Sequence, residues 1–348
     1  MSLVIRPYTH QSLGAVISFW ERRHTAPMLL QPSMTAKLVA SRVISNALFD
    51  LNGLILAVEE SGAGPKHVVG LIHATFPPDP EYMCPTTPLP PQNAAPLVRR
   101  EGIVIMMAVE ETLPPEQQQE ILGRLLDAAE DYFREKHVQT IYGGGVSPYN
   151  PPFYSDLCGV GDACGVLEAD YPAHQAFLTA GYQKVTKTVV HRLSLAKWTP
   201  PVNSDILSAQ RTHAAVSHEW KADTSWESMT MLPGGNPHEF RTYSSSGLLQ
   251  GRLVLREIPA ELSDGTMTEL FVAHRFVCKG SAGISSLERQ EIGLVLWDYA
   301  LGFLKQQAPG GVVEWILRDD PTFRSRIHIA ESFGFMPFTR GVVYRREL

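Results

Sequence analysis

The chain has 348 residues, 44% hydrophobic and 19% charged, and its 30 basic and 36 acidic side chains give a net charge of −6. At roughly 100–200 residues per domain this length suggests two domains, and the apolar share excludes wholesale disorder. The acidic balance excludes broad charge-driven binding to nucleic acid or an anionic membrane and leaves room for a small basic pocket for a phosphate-bearing ligand.

The opening MSLVIRPYTH lacks the charged region, apolar core and cleavage site of a secretory signal. Residues 3–8 form a short apolar run, and in 11–23 Leu13, Val16, Ile17 and Trp20 recur at helical spacing. A second helical segment, 35–46, carries Leu38, Val39, Val43 and Ile44. Two apolar runs, 53–60 and 67–76, flank Ser-Gly-Ala-Gly-Pro and read as an antiparallel hairpin. The prolines of 77–96 exclude a helix interior or central strand, leaving a surface loop or a lid over a ligand site. IVIMMAV at 103–109 reads as a buried strand. A Pro-Pro pair then leads into a helix over 116–136, whose Ile121, Leu122, Leu125, Leu126, Ala129 and Phe133 form a core-facing stripe. The strand 138–142 opens into three glycines, 143–145; a helix at 173–180 stops at Gly181, and 182–195 closes this half as a β run. Trp198-Thr-Pro-Pro-Val reads as a junction, dividing 1–197 from 198–348. Beyond it come strands at 214–220, 239–243, 251–258 and 268–276, a helix at 287–307, a strand at 312–317, a helix at 322–333 and a strand at 336–345. None of the apolar runs approaches the ~20 residues of a membrane-spanning helix.

The two halves end alike. QEILGRLLDAAEDYFREK (119–136) matches QEIGLVLWDYALGFLKQQ (290–307) when one residue is skipped. Each leads through a strand and a helix to a Gly-aromatic pair, Gly181-Tyr182 and Gly334-Phe335. Gly123 and Gly293 stand 170 positions apart and Gly181 and Gly334 only 153, so the first half carries extra residues between Tyr149 and Pro172.

At the head of each long helix stands a polar segment ending in glycine: Gln118-Gln119-Glu120-Ile121-Leu122-Gly123, then Glu288-Arg289-Gln290-Glu291-Ile292-Gly293. A helix N-terminus offers unpaired N–H groups and a positive dipole end on which a diphosphate can sit, and glycine lets backbone come close. The same glycines would equally serve close helix packing. The ordered series of strand, two helices, hairpin, central strand, loop into a helix, strand, helix and closing strand resembles the GNAT acyltransferase superfamily. Residues 1–195 follow the whole pattern and 205–348 follow it from the middle strands onward. The chain is thus similar to a tandem GNAT protein with a shortened second copy. The implied fold class is α/β (α+β), two acyl-CoA N-acyltransferase-like domains, each a mixed twisted sheet flanked by helices. Against the superfamily's [Gln/Arg]-x-x-Gly-x-[Gly/Ala], Ile121 replaces the middle glycine in the first half, and only Gly293 matches in the second.

The resemblance implies an N-acetyltransferase that passes an acetyl or other acyl group from acetyl-CoA (or another acyl-CoA) directly to a primary amine of a small molecule or peptide, with no metal. The donor would wedge between 103–109 and 138–145, held by backbone at Met107 and Val109, by Gln118, Gln119, Gly123 and Arg124, and by Asn150. Tyr154, in Asn150-Pro-Pro-Phe153-Tyr154, is the candidate acid for the leaving thiolate, with Tyr149 in reserve; a core aromatic pair would explain Phe153-Tyr154 as well. Glu110 and Glu111 follow the central strand, and Glu269 lies in the matching strand of the second half, as candidate bases. A carboxylate inside an apolar strand must be paired or solvated. Leu178 and Ala330 stand where each half's later helix would carry the tyrosine, so the second half is expected to be catalytically incomplete. The alternative is an inactive CoA-ester sensor or interaction scaffold.

Cys158-x5-Cys164 with His174 lacks the tight pair and fourth ligand of a zinc site. No Gly-Lys-Ser/Thr follows the triple glycine, and no Gly-x-Ser-x-Gly elbow occurs. Arg99-Arg100 and Arg324-x-Arg326 have the character of solvated basic faces. Four cysteines are too few for a disulfide scaffold, so a cytoplasmic protein without nucleic-acid or membrane partners is expected.

Overall fold

The computed structural model describes residues 2–22, 39–45, 49–60, 67–77, 101–145, 164–222, 236–244, 246–261, 266–278 and 285–348. In chain order the elements are β1 (Ser2–Pro7), α1 (Leu13–Arg22), β2 (Leu54–Glu60), β3 (His67–Thr75), β4 (Glu101–Val109), α2 (Pro115–Glu135), β5 (Thr140–Gly143), β6 (Val166–Leu167), α3 (Tyr171–Thr179) and β7 (Gln183–Ser194). They continue with α4 (Ser204–Thr212), β8 (Ala214–His218), β9 (Asn236–Tyr243), β10 (Leu249–Glu261), β11 (Met267–Cys278), α5 (Ser286–Gln307), β12 (Val312–Arg318), α6 (Arg324–Ser332) and β13 (Met336–Glu347). Two compact units result: Met1–Lys187 with Arg340–Leu348, and Thr188–Thr339.

In the first unit the strand order is β1-β2-β3-β4-β5-β13, antiparallel except for the parallel β4–β5 pair. Helix α2 lays Ile121, Leu122, Leu125, Leu126, Ala129 and Phe133 on one face, and α1 lays Val16 and Phe19 on the other. β2, β3 and β4 are therefore covered on both sides, which is why they read as continuous apolar runs. In the second unit the order is β7-β12-β11-β10-β9-β8, with Ile292, Leu296, Trp297 and Leu301 of α5 in its core. Each unit's sheet thus closes on a strand from elsewhere in the chain, β13 in the first and β7 in the second. Helix α4, N-capped by the Asn203 side chain accepting from the Asp205 N–H at 2.7 Å, is an element that hydrophobic periodicity passes over.

The repeat is real in packing but shifted by one residue. A Cβ on Gly70 of β3 would lie 2.9 Å from Ile121 Cγ2 and 3.2 Å from Leu125 Cδ1. A Cβ on Gly251 of β10 would lie 2.5 Å from Ile292 Cγ2 and 2.8 Å from Leu296 Cδ1. Ile121 and Ile292 are therefore equivalent, and the counterpart of Gly123 is the buried Leu294, not Gly293. Bulges repeat too: the β3–β4 register shifts at His73/Ala74, leaving Ile105 unmatched, and the β10–β11 register shifts at Val254/Leu255, leaving His274 unmatched. Among the described residues no helix is long and apolar enough to cross a membrane.

A buried histidine, His73, and a half-buried one, His274, predict acid lability. Burial pushes His73 from 6.5 to about 3, against the pull of Asp50. Burial, then Arg256, Arg275 and Arg252, lowers His274 to about 3. Both are neutral in the fold and take a proton on unfolding, so the unfolded chain binds more protons below its histidine pKa and stability falls as pH drops from 6.5 toward 3. The urea midpoint is expected to fall between about pH 7 and about pH 5, where surface carboxylates are still ionised; a flat midpoint would contradict it.

Candidate functional site

The β4–β5 ladder is short. It runs from Glu101↔Thr140 to Val104↔Gly143, with one further bond from the Gly144 N–H to the Val104 carbonyl at 2.9 Å. β4 continues to Val109 while β5 ends at Gly143, so among the described residues a gap opens beside the second half of β4. On its other edge β4 stays paired with β3, and the Glu110 N–H donates to the Val69 carbonyl at 2.8 Å. Hydrogen-bonded and non-bonded pairs alternate along an antiparallel ladder. Counting back from Glu110, the N–H and C=O groups of Val109 and Met107 point away from β3, toward the gap.

The floor of the gap is tightly built. A Cβ on Gly143 would lie 2.4 Å from Phe177 Cε1, and Gly144 has φ +81°, with Gly165 and Val166 backbone against it. The triple glycine therefore serves a turn and close packing. Gly143→Val is expected to destabilise by about 1–3 kcal/mol through overpacking, read as a lower urea midpoint.

Helix α2 begins earlier than the glycine motif suggests. Pro114 is its N-cap without a side-chain hydrogen bond and Pro115 its first residue, so the free N–H groups belong to the turn at Glu116 and Gln117. Gly123 lies two turns inside, with nothing within 4 Å of an added Cβ, and it does not form the helix tip. Ile121 is buried against Gly70, so its branched side chain does not obstruct the tip. Gln118 Nε2 donates to the Leu113 and Glu111 carbonyls at 2.7 and 3.2 Å and shapes the loop from β4. Gln119 Nε2 donates to the Pro172 carbonyl at 2.9 Å, tying α2 to α3. Arg124 donates to the Leu3 carbonyl of β1 at 3.1 Å, away from the gap.

Glu110 is the carboxylate at the end of β4. It lies 3.4 Å from His67 Nε2 and 3.6 Å from the Arg22 guanidinium, and accepts from Thr112 Oγ1 at 3.1 Å. One oxygen, Oε2, is buried without a hydrogen bond. His67 and Arg22 come from distant chain positions, and no local pattern marks them as partners of Glu110. Asn150, Tyr149, Tyr154, Cys158 and the segment 78–100 lie outside the described residues. Glu269 belongs to the other unit; its side chain is exposed, one residue ahead of the first parallel pair at Leu270, so solvation explains it. Leu178 is 40% exposed and Ala330 fully buried.

The second unit repeats the gap. The β11–β12 ladder ends at Val272↔Glu314, yet β11 runs on to Cys278 and β12 to Arg318. Glu314, at the point of parting, is fully buried, and its Oε1 accepts from Arg192 Nε at 2.8 Å and Nη2 at 2.6 Å. Burial pushes its carboxyl up, and Arg192 pulls it part of the way back. In contrast to Gly123, Gly293 is filled from outside: an added Cβ would stand 2.5 Å from Ile329 Cδ1 of α6 and 2.9 Å from Phe276.

No protein-family model and no curated protein matches the sequence. Solved structures do match. A tandem GNAT protein from the clavulanic acid biosynthesis pathway, solved without AcCoA, superposes with a TM-score of 0.61 at 15% identity, covering 99% of this chain and 98% of that one. The fold is that of the tandem GNAT proteins. A GCN5-related N-acetyltransferase from Sphaerobacter thermophilus gives 0.54 at 11% identity, over 99% and 95% of the two chains. N-myristoyltransferase of Saccharomyces cerevisiae with bound myristoyl-CoA gives 0.55 at 9% identity, over 99% and 78%. The expected α+β class with mixed, helix-flanked sheets is thus the observed one. Within this GNAT fold the described residues of the first unit join a gap beside β4, a helix tip whose first turn carries Glu116, and a half-buried carboxylate at the end of one strand.

Proposed function

We propose that the first unit binds acetyl-CoA or another acyl-CoA and transfers the acyl group by direct attack to a primary amine of a small molecule or peptide. The observation that carries this reading is the gap beside β4, into which Met107 and Val109 direct backbone donors and acceptors. Their free edge suits the amides of an extended arm, and the first turn of α2 suits a diphosphate. A thioester placed there supplies the electrophile. The Met107 N–H then steadies the oxygen on which charge develops. Glu110 takes the proton of the attacking ammonium, directly or through water, with His67 beside it to pass the charge outward. Asn150 and Tyr154 are assigned to donor binding and to protonation of the leaving sulfur on the resemblance alone. Glu269, in the second unit, is left out of this reading.

A second reading, a CoA-ester sensor without turnover, is favoured by the Arg22 contact, which neutralises Glu110, and by the Gln119–Pro172 bond. Calorimetry with acetyl-CoA and turnover with an amine panel decide between them. Binding with turnover supports the enzyme, binding alone the sensor. No heat with millimolar acetyl-CoA sinks both.

A further inference from the structure

Of the basic pair Arg324-x-Arg326, Arg324 is exposed as a solvated face would have it, and Arg326 is not. Arg326 is half-buried and reaches out of α6 to β11, where Nη2 donates to the Phe276 carbonyl at 3.4 Å. Phe276 lies four residues past Val272, where β11 and β12 part, and Arg318 lies four past Glu314 on the other side. Arg326 thus stands at the mouth of the second unit's gap, opposite the end of β12. Its guanidinium carbon is 5.5 Å from the Phe276 ring centroid and 4.8 Å from that of Phe323, and the Arg318 guanidinium carbon is 5.8 Å from the same Phe323 ring.

Two guanidiniums therefore share one aromatic ring, and among the described residues neither has a carboxylate partner. Burial lowers Arg326, the Cys278 thiol would raise it if ionised, and Arg318 lowers it further. That thiol is itself pushed up to about 11 by burial, so at neutral pH it carries no charge to offset the pair. Like charges held together in a half-buried setting are costly unless an anion bridges them. Stacking uses the flat face of a guanidinium and leaves its in-plane N–H groups for oxygen acceptors, and one N–H of Arg326 is directed to a protein oxygen.

We propose that Arg318 and Arg326 form an anion site at the mouth of the second unit's gap, built for the oxygens of a phosphate or diphosphate group. Both guanidiniums lie over Phe323, and each keeps in-plane N–H groups to offer the anion's oxygens. The site is independent of the acyl-transfer reading of the first unit.

The test is site-resolved labelling of the full chain with phenylglyoxal, read by mass spectrometry, with inorganic pyrophosphate, CoA and acetate as competitors. At ten times its dissociation constant pyrophosphate should slow modification of both Arg318 and Arg326 about tenfold, while exposed Arg211 of α4 is unchanged. Protection by pyrophosphate and CoA but not acetate identifies phosphate as the recognised group; protection by CoA at far lower concentration makes a phosphate ester the source. Arg318→Met should weaken protection of Arg326 about tenfold, as loss of a charge-assisted clamp does, and Arg318→Lys should restore part of it. Unchanged rates with every competitor, equal slowing of Arg211, or full protection of Arg326 in the Arg318→Met chain would each overturn the proposal. Because each arginine is read separately, binding in the first unit cannot mimic the result.

Discussion

Met107→Pro is expected to leave the protein folded and to lower acyl-transfer turnover by about 10²–10³-fold, the usual cost of deleting one oxyanion donor. The edge of β4 that the Met107 N–H faces decides the effect. Its neighbours on the ladder bond to β3, and Met107 itself is paired with Ile72 without exchanging bonds. Proline therefore removes a donor from the gap and none from the sheet, the condition under which strands accept it. It also confines Met106 to extended backbone, which a strand residue already has. The buried Met107 side chain is lost as well, so Met107→Ala is the matched control: similar packing loss, donor retained, turnover close to the parent. If proline and alanine chains turn over alike, the donor lies elsewhere. If both bind acetyl-CoA and only the proline chain is slow, the N–H acts on the reacting carbonyl.

Much of the fold is legible in the sequence because the core is made of long, strongly periodic segments. The stripe from Ile121 to Phe133 and the run IVIMMAV announce α2 and β4 within a residue or two of their observed ends. What is hidden is set by relations between segments. Nothing in VVHRLS or VVYRRE says which sheet each will close, since either apolar edge would satisfy either unit. The bulges at Ile105 and His274 add one residue to a strand without disturbing its apolar character, so they leave no trace in the pattern.

The candidate site is legible in part for similar reasons. Met107 and Val109 are readable as candidates because a strand bordering a gap offers only backbone, and Glu110 because it follows that strand directly; their roles belong to the proposal. The glycine motif misled. Gly123 lies two turns within α2, since Pro114 and Pro115 start the helix before the motif begins. Arg326 reads as part of a solvated face because a charged residue in an exposed-looking helix carries no sign that two aromatic rings will hold it.

Glu239→Ala is expected to cost the second unit about 3–5 kcal/mol, enough to unfold a marginal domain, because it removes the carboxylate that balances the buried Arg252 charge. The Glu239 carboxylate is fully buried, as is Arg252, whose Nε donates to Oε1 at 2.6 Å and Nη2 to Oε2 at 3.2 Å. Arg241 donates to the same Oε1 and the Lys221 N–H reaches Oε2 at 3.4 Å. Burial by itself would raise this carboxyl; the two guanidiniums outweigh it and hold it below its usual value. An acid lowered in the fold contributes stability above its unfolded pKa, here near 4.5, and loses it as pH falls through the depressed value. The penalty of Glu239→Ala, measured by urea unfolding, should therefore be full near neutral pH and shrink in acid, where the parent carboxylate is itself discharged. Glu239→Leu with Arg252→Met should recover much of the loss, since replacing both partners leaves no stranded pair and Arg241 is only partly buried. A double variant as unstable as Glu239→Ala alone would mean that the carboxylate organises β9 and β10 in some way beyond balancing charge.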